Sequence, residues 1–272
     1  MTTATERLDV IDPASRRAPA LGGFSRTFLA VEIKRLFRNS SVVIFTLIFP
    51  IAMLFLVALP NRNQAITDVP VAQGGLSAAV PIMISMAVYG AMVASTMTGV
   101  SVASERAQGW SRQLRLTPLN PVVYILVKVF CGLLLGGLAV VVTLIVGTAL
   151  GITAPLGNLI GAGVLAWLSS LMMTSLGLAV GYAFPAQNAM RYLGPILPIL
   201  SFMGGLFFPL YLMPEAVQVA AKFTPVWGIA NLSQSAIIGT APDVWAVPNL
   251  VVWFIVFTGL AVLMFRRDTK RV

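Results

Sequence analysis

Charge-free apolar runs separated by short polar breaks are the dominant pattern of this sequence. A helix rises about 1.5 Å per residue and needs about 20 mostly apolar residues to cross roughly 30 Å of hydrocarbon, so the gaps between charges count the crossings. The run Val42 to Leu59 is closed by Pro60, Asn61 and Arg62, and Pro50 inside it predicts a kink. The stretch Val69 to Ser104 is loosened at its start by Gly74, Gly75 and Pro81, which leaves a second span of about Leu76 to Ala103. From Val129 to Met190 no charge appears. That length holds two crossings, about Val122 to Leu150 and Leu159 to Tyr182, with Gly151, Pro155, Gly157 and Asn158 supplying the turn. Tyr192 to Pro209 is a fifth span and Val247 to Phe265 a sixth. The pattern predicts an all-α polytopic membrane protein with six transmembrane helices and both termini on one side.

The flanks divide the rest. Residues 1–23, with Thr, Pro, Arg and Gly22-Gly23, read as a flexible tail. Over 24–41, Leu29, Ile33, Leu36 and Phe37 recur at helical spacing with Lys34, Arg35 and Arg38 elsewhere on the wheel, which predicts an amphipathic interfacial helix. It anchors the first span or touches a cytosolic partner. Residues 42–265 form the six-span domain, and 266–272 a basic tail. The first apolar run lies behind a long charged leader without a small-residue cleavage site, so a retained span is expected there rather than a signal peptide.

Composition narrows the function. The 272 residues are 58% hydrophobic and 10% charged, with a mean hydropathy of +0.90. Soluble domains carry about 25% charge, so a soluble enzyme or nucleic-acid binder is excluded. The formal net charge of +9 comes from 18 Lys and Arg against 9 acids. Sixteen of those 18 fall in the segments on one side, leaving Arg62 and Lys222 on the other. Cytoplasmic loops collect Lys and Arg, which places the termini in the cytoplasm and explains the charge by topology and lipid headgroups rather than nucleic acid. With no His and a single Cys131, a metal cage, a Ser/His or Cys/His nucleophile and a disulfide framework are absent from the inventory. All nine acids lie outside the expected spans, so no carboxylate is at hand to bind a coupling ion. None of the four lysines follows Gly, so there is no Gly-Lys-Ser/Thr phosphate loop, and a nucleotide that drives this chain must bind another subunit.

The loop between spans two and three, Glu105 to Lys128, contains a short helix in which Trp110 and Leu114 share one face and Arg112 and Arg115 another, ended by Pro118 and Pro121. Such an element inserts into a cleft or lies on the membrane as a charged loop. Its sequence resembles the coupling-helix signature of ABC type-two exporter permeases, the group of daunorubicin-type drug, polysaccharide and teichoic-acid exporters. That loop typically reads Glu-Arg-Glu, a Gly, a Leu, Thr/Ser-Pro-Leu and a downstream Lys. Glu105, Arg106, Gly109, Leu114, Thr117, Pro118, Leu119 and Lys128 match, while Ala107 and Trp110 depart. A second segment, Gly204 to Glu215 with Phe208, Pro209 and Pro214, followed by Phe223-Thr-Pro225-Val-Trp227, is similar to the family's extracellular re-entrant region between spans five and six. Locally, Pro214 suits the first position of a short helix with Glu215 at its positive end; Pro225 opens a second one, ended by Gly239. The pair forms a lid or a gate for substrate.

The resemblance, over residues 24–265, implies a non-catalytic, multi-pass permease subunit of an ATP-driven exporter in the cell membrane, expected to be a bacterial plasma membrane. It implies two cytosolic ATPase subunits, which bind ATP and Mg, and a second permease chain, identical or related; this chain binds no cofactor itself. Arg106, Arg112 and Arg115 would pair with acids on the ATPase, and Trp110 and Leu114 would fill an apolar cleft. The scarcity of charge suits an amphipathic or lipid-like cargo, whether drug, antibiotic or lipid. The alternative is an ion-coupled secondary carrier or channel. Met83, Met86 and Met172 either line a pliable substrate path or fill gaps between helices. The pairs Gly132/Gly136, Gly147/Gly151 and Gly177/Gly181 let helices approach closely, within the chain or across a dimer seam.

Overall fold

The computed structural model describes residues 26–38, 40–66, 71, 75–109 and 121–270. Over these the chain is helical: α1 is Arg26–Arg38 and α2 is Ser40–Met53, which runs on through a π turn, Leu54–Ala58, and a 3-10 turn, Leu59–Asn61. Then come α3 (Ala79–Ala107), α4 (Pro121–Ala149), α5 (Leu156–Ala183) and α6 (Ala186–Met203). A 3-10 turn, Leu210–Leu212, leads to α7 (Glu215–Ala221), α8 (Trp227–Ile238) and α9 (Ala246–Lys270).

Among the described residues four helices, α3, α4, α5 and α9, are long and apolar enough to cross a membrane. Where the sequence puts spans one and five stand α2 with its π and 3-10 extension, residues 40–61, and the 18-residue α6 with Pro195 and Pro198 inside it. Proline perturbs the first without ending it. Pro50 lacks the N–H for its i−4 bond, and the ladder widens into the π turn at Leu54. Another proline separates α5 from α6: Phe184, before Pro185, is forced extended at φ −120°, ψ 153°. Gly239, in the left-handed region at φ +84°, closes α8. Pro214 precedes α7 as its cap rather than occupying its first position.

Helix α3 is the hub. It is almost wholly enclosed, packing on α5, α4, α2, α8 and α6, while α9 lies outside against α5 and α8. Exposed Val251, Val252, Ile255 and Leu263 on α9 form a surface that needs lipid as its solvent. The rings of Phe49, Tyr89 and Phe207, with centroids 5.0–5.8 Å apart, close the core between α2, α3 and the segment after α6. Met83, Met86 and Met172 are buried in that same core, and the Met83 thioether packs over Gly147. Their position is that of gap fillers.

Two of the three glycine pairs serve contacts within the chain. Gly132 and Gly136 on α4 face Thr174 and Ser170 on α5, and Gly177 and Gly181 on α5 face the α3 backbone at Thr96 to Val100. The sequence pattern omitted the partner that makes this crossing possible, Gly99.

Candidate functional site

Helix α3 does not stop at Ala103, where the apolar run suggests, but continues to Ala107 and carries Glu105 and Arg106 in its last turn. It ends at Gly109, whose φ of +74° a side chain would strain and whose N–H returns to the Arg106 carbonyl. Of the expected coupling residues, Glu105, Arg106 and Gly109 are described. Trp110, Arg112, Leu114, Arg115, Thr117 and Pro118 lie outside the described residues.

Glu105 is turned inward and is 1% exposed. An acid in the last turn of a helix opposes the helix dipole, so its position has to be secured by cations. Lys128, on α4 and equally buried, sits 2.5 Å from Glu105 Oε1 and 2.7 Å from Glu32 Oε2 on α1. Arg35, one turn after Glu32 and half exposed, reaches Glu105 Oε1 at 3.1 Å. The remaining capacity is used locally: the Tyr124 hydroxyl donates to Glu105 Oε2, and the Ser101 hydroxyl donates to Oε1 at 3.3 Å. Lys128 also stands 5.6 Å over the Tyr124 ring, and Phe28 from α1 lies against that ring. Two acids and two bases neutralise one another, and three separate segments are joined at a single point.

This corrects the reading that every acid lies outside the spans. Glu105 belongs to a helix long and apolar enough to cross a membrane, and Glu32 and Glu105 are both buried. The expectation went wrong because a charge at the end of an apolar run looks solvated in sequence. In the fold, α1 packs on α4, and its Glu32 and Arg35 reach Lys128 and Glu105 where the charge would otherwise be solvated. The missed residues left one faint signal: Glu32 stands three residues from Leu29 and beside Ile33, on the apolar face of α1 rather than with Lys34.

Arg106 points elsewhere. Its guanidinium donates to the carbonyls of Gly181 and Tyr182 at 2.9 and 3.1 Å, pairs with Asp268 on α9, and lies 5.6 Å from the Tyr182 ring centroid. The last turn of α3 is therefore coupled to α1 and α4 through Glu105 and to α5 and α9 through Arg106.

At the opposite end the expected gate residues divide. Phe208, Pro209, Pro214 and Glu215 are exposed, whereas Pro225 and Trp227 are buried. Helix α8 is inserted among α5, α3 and α9 rather than laid over them. Asn249 fastens it: its side-chain oxygen accepts from the Gly228 N–H, and its amide donates to the carbonyls of Lys222 and Thr224. Nearby, the Lys222 ammonium, 2.8 Å away, and the Trp245 N–H hold the Asp243 carboxyl below its ordinary range. Replacing Asn249 by Ala removes three hydrogen bonds at once and should cost about 1–2 kcal/mol of stability, read as earlier thermal unfolding of the purified protein, with protease cleavage appearing first at 222–228.

Residues 25–238 match the family described as "ABC-2 type transporter". The chain is also similar to a protein of Bacillus subtilis (strain 168) named "Putative transport permease YvfS". The two are 24% identical over 239 residues, covering 87% of this chain and 95% of that one.

Proposed function

Because the chain belongs to the ABC-2 type transporter family, we propose that this transmembrane transporter subunit is the permease half of an exporter driven by a separate cytosolic ATPase. In this reading the end that gathers the basic residues is cytoplasmic, and α2 with its π extension and α6 complete six crossings. Two ATPase subunits, which bind ATP and Mg, and a second permease chain make up the assembly in the cell membrane. The cargo is amphipathic or lipid-like, and α7 and α8 form a re-entrant gate at the outer side.

The observation that carries this reading is the Glu32, Lys128 and Glu105 cluster at the root of the 105–118 loop. A nucleotide can bias a conformational equilibrium only through contacts that differ between the two states. A loop that moved alone would transmit nothing. Here its root is tied to α1 and α4 by Glu105 and to α5 and α9 by Arg106, so a displacement of the coupling segment is passed to most of the bundle. The same cluster disfavours an ion-coupled carrier, since both buried acids already hold ammonium or guanidinium partners.

Trp110 and Leu114 are the residues proposed to enter the ATPase cleft. The double substitution Trp110→Ala and Leu114→Ala should abolish transport and weaken co-purification with the ATPase while leaving membrane insertion intact. Full transport by that variant would overturn the assignment.

A further inference from the structure

Beside the charge cluster, on the other flank of the α3 terminus, an open cavity of about 490 Å³ lies between α3, the α5–α6 junction and the last turns of α9. Its polar lining is Arg106, Arg267 and Asp268, and its apolar lining includes Tyr182, Phe184 and Met264. Two guanidinium groups against one carboxylate leave the cavity cationic. Arg106 uses three of a guanidinium's roughly five N–H donors on Gly181, Tyr182 and Asp268, so it is held rigidly with donors to spare. The proposed ATPase contact leaves this cavity unassigned.

The surroundings indicate what enters it. Leu260, Leu263 and Met264 precede Arg267 at helical spacing on α9, so an exposed aliphatic stripe runs along that helix to the guanidinium. On the other rim Phe184 meets the exposed Tyr192 edge-on at 5.5 Å, next to the exposed Arg191, the mixture of aromatic and cationic groups found at a membrane–water boundary. A cationic recess above an apolar stripe fits a ligand with an anionic head and a hydrocarbon tail.

We propose that this cavity binds the phosphate headgroup of an anionic phospholipid, with Arg106 and Arg267 on the phosphate and the acyl chains along Leu260 and Leu263. The interaction is independent of the cargo and of nucleotide, so it stands or falls separately from the transport reading. A protein carboxylate would satisfy the arginines but would leave the aliphatic stripe unused.

The test is lipid retention by the purified full-length chain, measured by native mass spectrometry with phosphatidylglycerol and phosphatidylcholine in equal amounts. Phosphatidylglycerol should be retained preferentially, and Arg267→Gln, an exposed position, should reduce that preference by about fivefold. Arg62→Gln, at the opposite end and also exposed, removes the same charge and should leave the preference unchanged. Equal retention of the two lipids, or an equal drop in both variants, would overturn the proposal. Inorganic phosphate at millimolar concentration should not displace the lipid. Phosphate binding without any phosphatidylglycerol preference would assign the cavity to the free ion and refute the lipid assignment.

Discussion

Lys128→Met should cost about 3–5 kcal/mol, enough to leave little folded protein, although methionine is only one atom shorter than lysine and suits an apolar site. The loss arises from what remains behind. Glu32 and Glu105 would be left without their ammonium partner in a place where water does not reach, with only Arg35 to compensate, and Arg35 is itself 42% exposed and screened. The measurement is unfolding of the detergent-purified protein by heat or denaturant. The discriminating variant is the triple substitution Glu32→Gln, Glu105→Gln and Lys128→Met, which removes the buried charges together. It should recover most of the stability, because a buried ion pair offers little over neutral groups of the same shape while half of one is costly. If Lys128→Met unfolds like the parent protein, the cluster is hydrated and cannot act as a rigid joint. The proposed function adds a second expectation: the triple variant, though folded, should transport poorly, since neutral amides no longer lock α1, α3 and α4 into one unit.

How much of this was legible in the sequence depends on the kind of interaction. The long helices α3, α4, α5 and α9 follow from gaps between charges, a signal that lipid makes nearly one-dimensional because every backbone polar group must be satisfied within its own helix. Helix α1 follows equally from the spacing of Leu29 and Ile33. Spans one and five are harder, because composition shows neither the π turn that follows Pro50 nor the start of α6 at Ala186, ahead of the expected Tyr192. Apart from the place of Glu32 on the apolar face of α1, the charge cluster could not be read from local pattern. Glu32, Glu105 and Lys128 come from three segments whose separations in sequence are 96 and 23 residues from Lys128, and each alone looks like a solvated interfacial charge. Family resemblance marked Glu105 and Lys128 as motif positions, but it suggested that Glu105 belongs to an outward-facing coupling element. The side chain instead faces inward and is buried.

The crossing of α3 and α5 yields the second large effect. Gly99→Ala and Gly177→Ala would each ordinarily be mild or helpful, since alanine is favoured over glycine in a helix by about 1 kcal/mol. Space reverses the sign. A Cβ on Gly99 would stand 2.5 Å from the Thr174 carbonyl oxygen and 2.7 Å from the Leu178 nitrogen, and one on Gly177 would overlap the Thr96 carbonyl and lie 3.0 Å from the Gly99 Cα. These obstacles are backbone atoms and cannot swing aside. The two helices must therefore separate along the most extensive contact in the bundle, which costs about 3 kcal/mol and leaves a net loss of about 2 kcal/mol after the helix-propensity gain. Gly161→Ala, on the same helix α5, meets nothing within 4 Å and should be neutral or stabilising. Equilibrium unfolding of the three variants in one detergent provides the comparison: equal stabilities would show that the crossing is looser than the backbone distances imply. Because α3 also carries Glu105 and Arg106, any variant that wedges α3 from α5 should impair transport more than its loss of stability alone accounts for. Helix α3 is the centre of the packing and, in the proposed function, also the element through which the coupling segment would reach the bundle.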